Sequence, residues 1–107
     1  MITAAILCKD IFSLVKIQAT LDHLNMSHVK LSGPADPHIA GARFILVDLT
    51  DKDAFAVIAQ APEKSIGFGP HMQADLFEKA KVAGCTRAYP RSRFFQELRA
   101  LIVHALS

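Results

Sequence analysis

An α/β fold of three layers, a five-stranded parallel sheet in the order 2-1-3-4-5 with five helices on its two faces, is what this sequence predicts, and three observations carry it. Short runs rich in branched apolar residues alternate with longer runs of helical period, the signature of repeated strand and helix. Two of the short runs, Ala4-Ala5-Ile6-Leu7 and Phe44-Ile45-Leu46-Val47, are apolar without interruption, as strands covered by helices on both faces must be. The chain has 107 residues, 51% of them hydrophobic and 21% charged, which suits one core and excludes disorder, collagen-like repeats and a disulfide-stapled miniprotein. Residues 1–107 are therefore expected to form a single domain, and right-handed crossovers make 2-1-3-4-5 the common strand order at this size.

The expected elements follow in order. Thr3 to Cys8 forms the first strand. Ile11 to Asn25 is the first helix, with Leu14, Ile17, Leu21 and Leu24 on one arc and Ile11, Val15 and Ala19 on another. Two apolar arcs predict a helix wedged between the sheet and a neighbouring helix. Ser27 to Leu31 is the second strand. The turn-rich stretch Ser32-Gly33-Pro34-Ala35-Asp36-Pro37 leaves room only for a short second helix over Pro37 to Gly41. Arg43 to Asp48 is the third strand and Asp53 to Ala61 the third helix. Lys64 to Phe68 is the fourth strand, and Gln73 to Ala83 the fourth helix, closed by Gly84 in the left-handed position after a helix. Cys85 to Tyr89 is the fifth strand. From Arg91 onward Phe94, Phe95, Leu98, Leu101, Ile102, Ala105 and Leu106 fall within an arc of about 140°, a wide stripe for a surface helix.

Composition narrows the function classes. Twelve Lys and Arg against ten Asp and Glu leave a net charge of +2, too weak a field to imply nucleic acid or an anionic membrane surface. The apolar run from Met1 to Leu7 is interrupted by Lys9 and Asp10 well short of a signal peptide or a membrane span, so a cytoplasmic protein is expected. Cys8 and Cys85 lack a Cys-x-x-Cys spacing and read as reduced core thiols rather than a disulfide or metal site. His23, His28, His38 and His104 show no metal-ligand spacing and read as surface residues. Neither a metal nor any other cofactor is expected. With no phosphate-binding loop, nucleophile elbow or dinucleotide fingerprint, hydrolase and dehydrogenase readings have no support.

In the expected topology the loops after the first and third strands flank the point where strand order reverses, and ligands bind there in open α/β sheets. Lys9, Asp10, Asp48 and Thr50 lie in those loops. Gly69, His71, Tyr89 and Arg91 join them from the ends of the fourth and fifth strands.

The strand ending in Lys9-Asp10, the strand Phe44-Ile45-Leu46-Val47-Asp48-Leu49, and Tyr89-Pro90 before the last helix together resemble the receiver domain of two-component response regulators, over essentially the whole chain. The stretches Gly67-Phe68-Gly69-Pro70-His71 and Arg91-Ser92-Arg93-Phe94-Phe95 look similar to stand-alone receiver-like bacterial proteins. The resemblance implies a flavodoxin-like fold and a role in signal transduction. In that family two adjacent acids after the first strand hold Mg²⁺, an Asp ending the third strand accepts a phosphoryl group, a Ser or Thr ends the fourth, and a Lys precedes a Pro after the fifth. Asp48 matches the phosphoacceptor and Asp10 one acid of the pair. Lys9 stands at the other, Gly67 to Gly69 fall at the hydroxyl position, and Tyr89 replaces the lysine.

Phosphoryl transfer needs metal charge to offset the oxygens of donor and product. Lys9 in place of an acid predicts a site neutralised internally, with Asp48 held by Lys9 or by loop amides; a working phosphoacceptor is the alternative. His71 needs a partner to act as base or proton donor, and Asp48 is the only nearby candidate; its other reading is a histidine that caps or packs its loop. Arg91, Ser92 and Arg93 open the last helix, where free amides favour an anion; the competing reading has Ser92 capping the helix and the arginines solvated or paired with acids.

The leading expectation is a non-enzymatic, single-domain receiver-like module, without an output domain after Ser107, that signals by binding an unidentified protein or by forming a homodimer. A phosphoacceptor on Asp48 is the second reading, and a small-anion or nucleotide binder using Asp48, His71 and Arg91 the third. The resemblance implies a contact surface on the fourth helix, fifth strand and fifth helix, and the apolar arc of the last helix, with Leu106 at its edge and Val103 beyond it, exceeds what one sheet face and one neighbouring helix need; packing is the competing reading.

Overall fold

The computed structural model describes residues 2–85 and 87–106. Met1, Thr86 and Ser107, which enter the expected first apolar run, the expected fifth strand and the chain end, lie outside the described residues. The elements run β1 (Ala4–Leu7), α1 (Ile11–His23), β2 (His28–Lys30), α2 (His38–Gly41), β3 (Phe44–Asp48), α3 (Ala54–Gln60), β4 (Ser65–Gly69), α4 (Ala74–Val82), β5 (Arg87–Pro90) and α5 (Arg91–Ala105), with a 3-10 turn at Pro62–Lys64. All strand pairs are parallel and the order is β2-β1-β3-β4-β5, as the alternation of apolar runs implied.

Side chains alternate across the sheet because successive residues of a strand point to opposite faces. Ala4, Ile6, Phe44, Leu46, Ile66 and Phe68 pack with Leu14, Ile17 and Leu21 of α1 and with Phe94, Leu98 and Ile102 of α5. Ala5, Leu7, Ile45 and Val47 pack on the other face with Ile39 of α2, Val57 and Ile58 of α3 and Ala80 of α4. The register pairs Leu7 with Val47, Val47 with Gly67 and Gly67 with Ala88. Asp48 thus stands beside Phe68, and Phe68 beside Tyr89, in one row at the carboxyl end of the sheet.

The helix ends have local causes. Asp10 caps α1, its carboxylate accepting from the Phe12 N–H. The helix closes before Asn25, whose φ of 56° is left-handed. Gly84 after α4 has φ 97°, and a Cβ there would lie 2.8 Å from the Pro62 Cβ. Both conformation and space call for glycine.

The second apolar arc of α1 corrects the sequence reading. Ile11 and Val15 are 65% and 56% exposed, and Ala19 is exposed too. Only α5 shares this face of the sheet with α1, so one arc suffices to seat the helix and the other meets solvent. The broad stripe of α5 is, by contrast, mostly covered. Cys8 and Cys85 are buried free thiols on opposite faces of the sheet. Three strand spacings separate β1 from β5, about 14 Å, well beyond the roughly 7 Å a disulfide spans between α-carbons. Among the described residues no helix is long and apolar enough to cross a membrane.

Candidate functional site

Asp48, at the end of β3, is 3% exposed. Its Oδ1 accepts from the Thr50 N–H (3.0 Å) and the Thr50 hydroxyl (2.7 Å), so the loop following the strand folds back to hold it. Its Oδ2 faces the Cys8 Sγ at 3.8 Å and the Arg91 Nη2 at 3.8 Å. Burial, and then the neighbouring Asp48 carboxylate, push the Cys8 thiol up to about 11. Cys8 is therefore a neutral thiol beside Asp48, not a nucleophile.

Arg91 opens α5 and reaches across the sheet end. Its Nη1 donates to the Ser13 Oγ (2.5 Å) and lies 3.5 Å from the Asp10 Oδ2, while its guanidinium sits over the Phe68 ring, 5.4 Å from the centroid. Phe68 is itself stacked on Phe94. Asp10 also accepts from the Ser13 hydroxyl at 2.7 Å. That hydrogen bond, with the Phe12 N–H and Arg91 adding to it, holds the Asp10 carboxyl below the usual carboxylate range. Asp10, Ser13, Arg91 and Asp48 form one network joining α1, α5 and β3.

This network corrects the expectation for Lys9. Lys9 is exposed and makes no ion pair among the described residues; the cation beside both carboxylates is Arg91. Two consecutive residues leaving a strand diverge, and the Asp10 side chain turns into its own helix cap. Ser92 is corrected as well. Helix α5 starts at Arg91 behind Pro90, without a side-chain cap, so Ser92 lies inside the first turn.

His71 is exposed and forms no hydrogen bond with Asp48, so a His71–Asp48 pair is not present. Asp48 is turned beneath Arg91, and Pro70 carries the chain away after β4. His71, Ser92, Lys16, Phe12 and Phe95 instead line a cleft of about 600 Å³ that Asp10, Ser13 and Arg91 close on the inner side. Lys16 Nζ stands 5.3 Å from the Phe95 ring centroid. Arg93 is not on this cleft; it pairs with Glu97 at 2.7 Å and covers the Tyr89 ring. Gly69 lies against Leu49 and Leu76, and a Cβ on Gly67 would come within 2.9 Å of the Leu49 Cδ2. Of the two α5 surface residues, Val103 is 52% exposed, whereas Leu106 packs partly on the core. His38 is exposed, as expected, and His28 is half-buried; one ring nitrogen of each lies 2.8 Å from a carboxylate, His28 from Asp22 and His38 from Asp36.

Sequence reasoning missed Ser13, Leu49, Lys16 and Phe12. A readable signal existed for Ser13, since Asp10-x-x-Ser13 at a helix start puts a second hydroxyl beside the cap.

The receiver resemblance implies a divalent ion here, and the donor set does not fit one. One acid of the expected pair is Lys9, both Asp10 oxygens are bound to the first turn of α1, and a guanidinium lies by both carboxylates. Mg²⁺ is held by one or two free carboxylates together with water, and here both carboxylates already face the Arg91 guanidinium.

No protein-family model matches the chain. No curated protein matches it. Solved structures do. A response regulator from Hahella chejuensis has a TM-score of 0.75 at 13% identity, covering 100% of this chain and 96% of its own. The phosphorylated cyanobacterial phytochrome response regulator RcpA has a TM-score of 0.75 at 16% identity, covering 98% of this chain and 94% of its own. A receiver domain from Rhodospirillum rubrum has a TM-score of 0.67 at 11% identity, covering 96% of this chain and 92% of its own. The chain has the receiver fold.

Proposed function

We propose that this receiver-like domain is a cytoplasmic, non-enzymatic signalling module that acts by binding another protein, and that its Asp48 site is not switched by Mg²⁺-dependent phosphorylation. The observation that supports this reading is the Arg91 guanidinium, 3.8 Å from Asp48 and 3.5 Å from Asp10. It supplies inside the fold the positive charge that a metal supplies in a phosphorylating site. Gly69 offers no hydroxyl and Tyr89 no cation to an incoming phosphoryl group. Val103, exposed on α5, belongs to the surface proposed to meet the partner protein.

The test is incubation with Mg²⁺ and acetyl phosphate, followed by intact-mass spectrometry. The expected result is an unmodified chain. A substantial Mg²⁺-dependent adduct that disappears in Asp48→Asn would instead establish Asp48 as a phosphoacceptor.

A further inference from the structure

We propose that two copies of this chain pair through α1, antiparallel about a two-fold axis at Val15. Ile11 (65% exposed), Phe12 (78%) and Val15 (56%) form, with exposed Ala19, one outward face of the helix. At 100° per residue they occupy an arc of about 100°, opposite the buried Leu14, Ile17 and Leu21. No charged residue falls in this arc between Ile11 and Ala19. Ile11, Val15 and Ala19 are open to solvent, and Phe12 forms the edge of the face where it borders the cleft with His71 and Phe95.

The residues select the occupant. A two-fold contact needs a face complementary to itself. With the axis at Val15, residue i meets residue 30 − i of the other copy, to within one position. Val15 then packs on its counterpart, and Ile11 and Phe12 meet the small Ala19 of the second copy, large against small at both ends. The antiparallel arrangement also sets Lys9, just ahead of α1, toward the end of the second copy's helix that carries Asp22, twice by symmetry. Lys9 is exposed with no ion pair among the described residues, and the Asp22 side chain is 70% exposed, with His28 on its Oδ1 only. A parallel pair would set Lys9 on Lys9 and Asp22 on Asp22, so opposite charges choose the antiparallel arrangement. A seam of about three helical turns lies at the low end of specific interfaces, on the order of 1,000 Å² in total. Such a dimer forms in the micromolar range. It does not depend on the chemistry of Asp48.

Sedimentation of the full chain from about 1 to 200 μM, the range that reads micromolar association, is expected to show a monomer–dimer equilibrium. Val15→Glu and Phe12→Glu each weaken it by about tenfold or more, with the melting curve unchanged when it is taken below the association range, because both side chains are exposed in the monomer. Lys9→Glu and Asp22→Lys each weaken it alone, since each sets like charges against one another at both ends of the seam. An equimolar mixture of those two variants recovers dimer, because only the mixed pair restores opposite charges at both ends, reversed at one and native at the other. Val103→Glu leaves the equilibrium as it was. A chain monomeric at every concentration, a dimer indifferent to Val15→Glu, or no recovery in the mixture each overturns the proposal.

Discussion

Arg91 is the side chain on which the candidate site turns. It is about one-third exposed, and Asp48 beneath it is buried, so the pair lies between a surface ion pair and a fully desolvated one. Arg91→Met is expected to lower unfolding stability by about 1–2 kcal/mol, read by urea denaturation. In an Asp48→Asn background the same change is expected to cost less, because no carboxylate is then left without its cation. Strict additivity of the two substitutions would show that the 3.8 Å approach contributes nothing. The sequence placed Asp10, Asp48 and Arg91 at one end of the sheet, because the ends of parallel strands converge once their order is known. It did not show which cation pairs with the acids. Lys9 is adjacent to Asp10 in the chain, whereas Arg91 lies 81 positions away, and long-range pairing leaves no trace in local spacing.

Among the elements, boundaries follow from backbone conformation and core positions from periodicity. Gly84→Ala is expected to destabilise by about 1–3 kcal/mol, because it puts a Cβ on a left-handed residue and against Pro62. Gly41→Ala is the contrasting case. Gly41 is helical, with nothing within 4 Å of an added Cβ, so the change is expected to be neutral or to stabilise by up to about 1 kcal/mol. Thermal melts of the two variants check both. All five strands were legible as short runs and the longer helices as periods, with ends shifted by a residue or two, whereas the four-residue α2 was legible only as the space left after a turn-rich stretch. The misjudged element was α1, whose double apolar pattern is the same whether the second arc meets a helix of its own chain or none. Sequence periodicity records apolarity, not what covers it.

At the scale of the whole molecule, stability is tied to acid pH through two carboxylates. Asp36 accepts from the Ser32 N–H first and then the His38 N–H, with the Ser32 hydroxyl and the His38 ring adding to them, and is held far below the usual range. Asp10 is also lowered, first by the Ser13 hydroxyl. A carboxylate whose folded pKa is depressed contributes stability that is fully present above its unfolded value of about 4 and is lost as pH falls toward the folded one. The wild type is therefore expected to melt progressively lower below about pH 4. Asp36→Asn is expected to lower the melting temperature at about pH 7 and to lie only somewhat closer to the wild type at about pH 3, since the advantage it removes fades as pH falls from about 4 toward the folded pKa. An unchanged gap between the two proteins at both pH values would deny Asp36 that role.

The two outer strands of the sheet have a consequence for how this fold meets other chains. The strand β2 is three residues long and ends in exposed Lys30; β5, at the opposite side, ends in Pro90, which has no N–H to donate. Short borders that carry a lysine or a proline are poor templates for strand addition. Another polypeptide therefore gains little by extending the sheet, and the domain is guarded against the open-ended stacking that leads to fibres. Recognition is left to the helical surfaces, where contacts form through side chains and close at a finite number of copies.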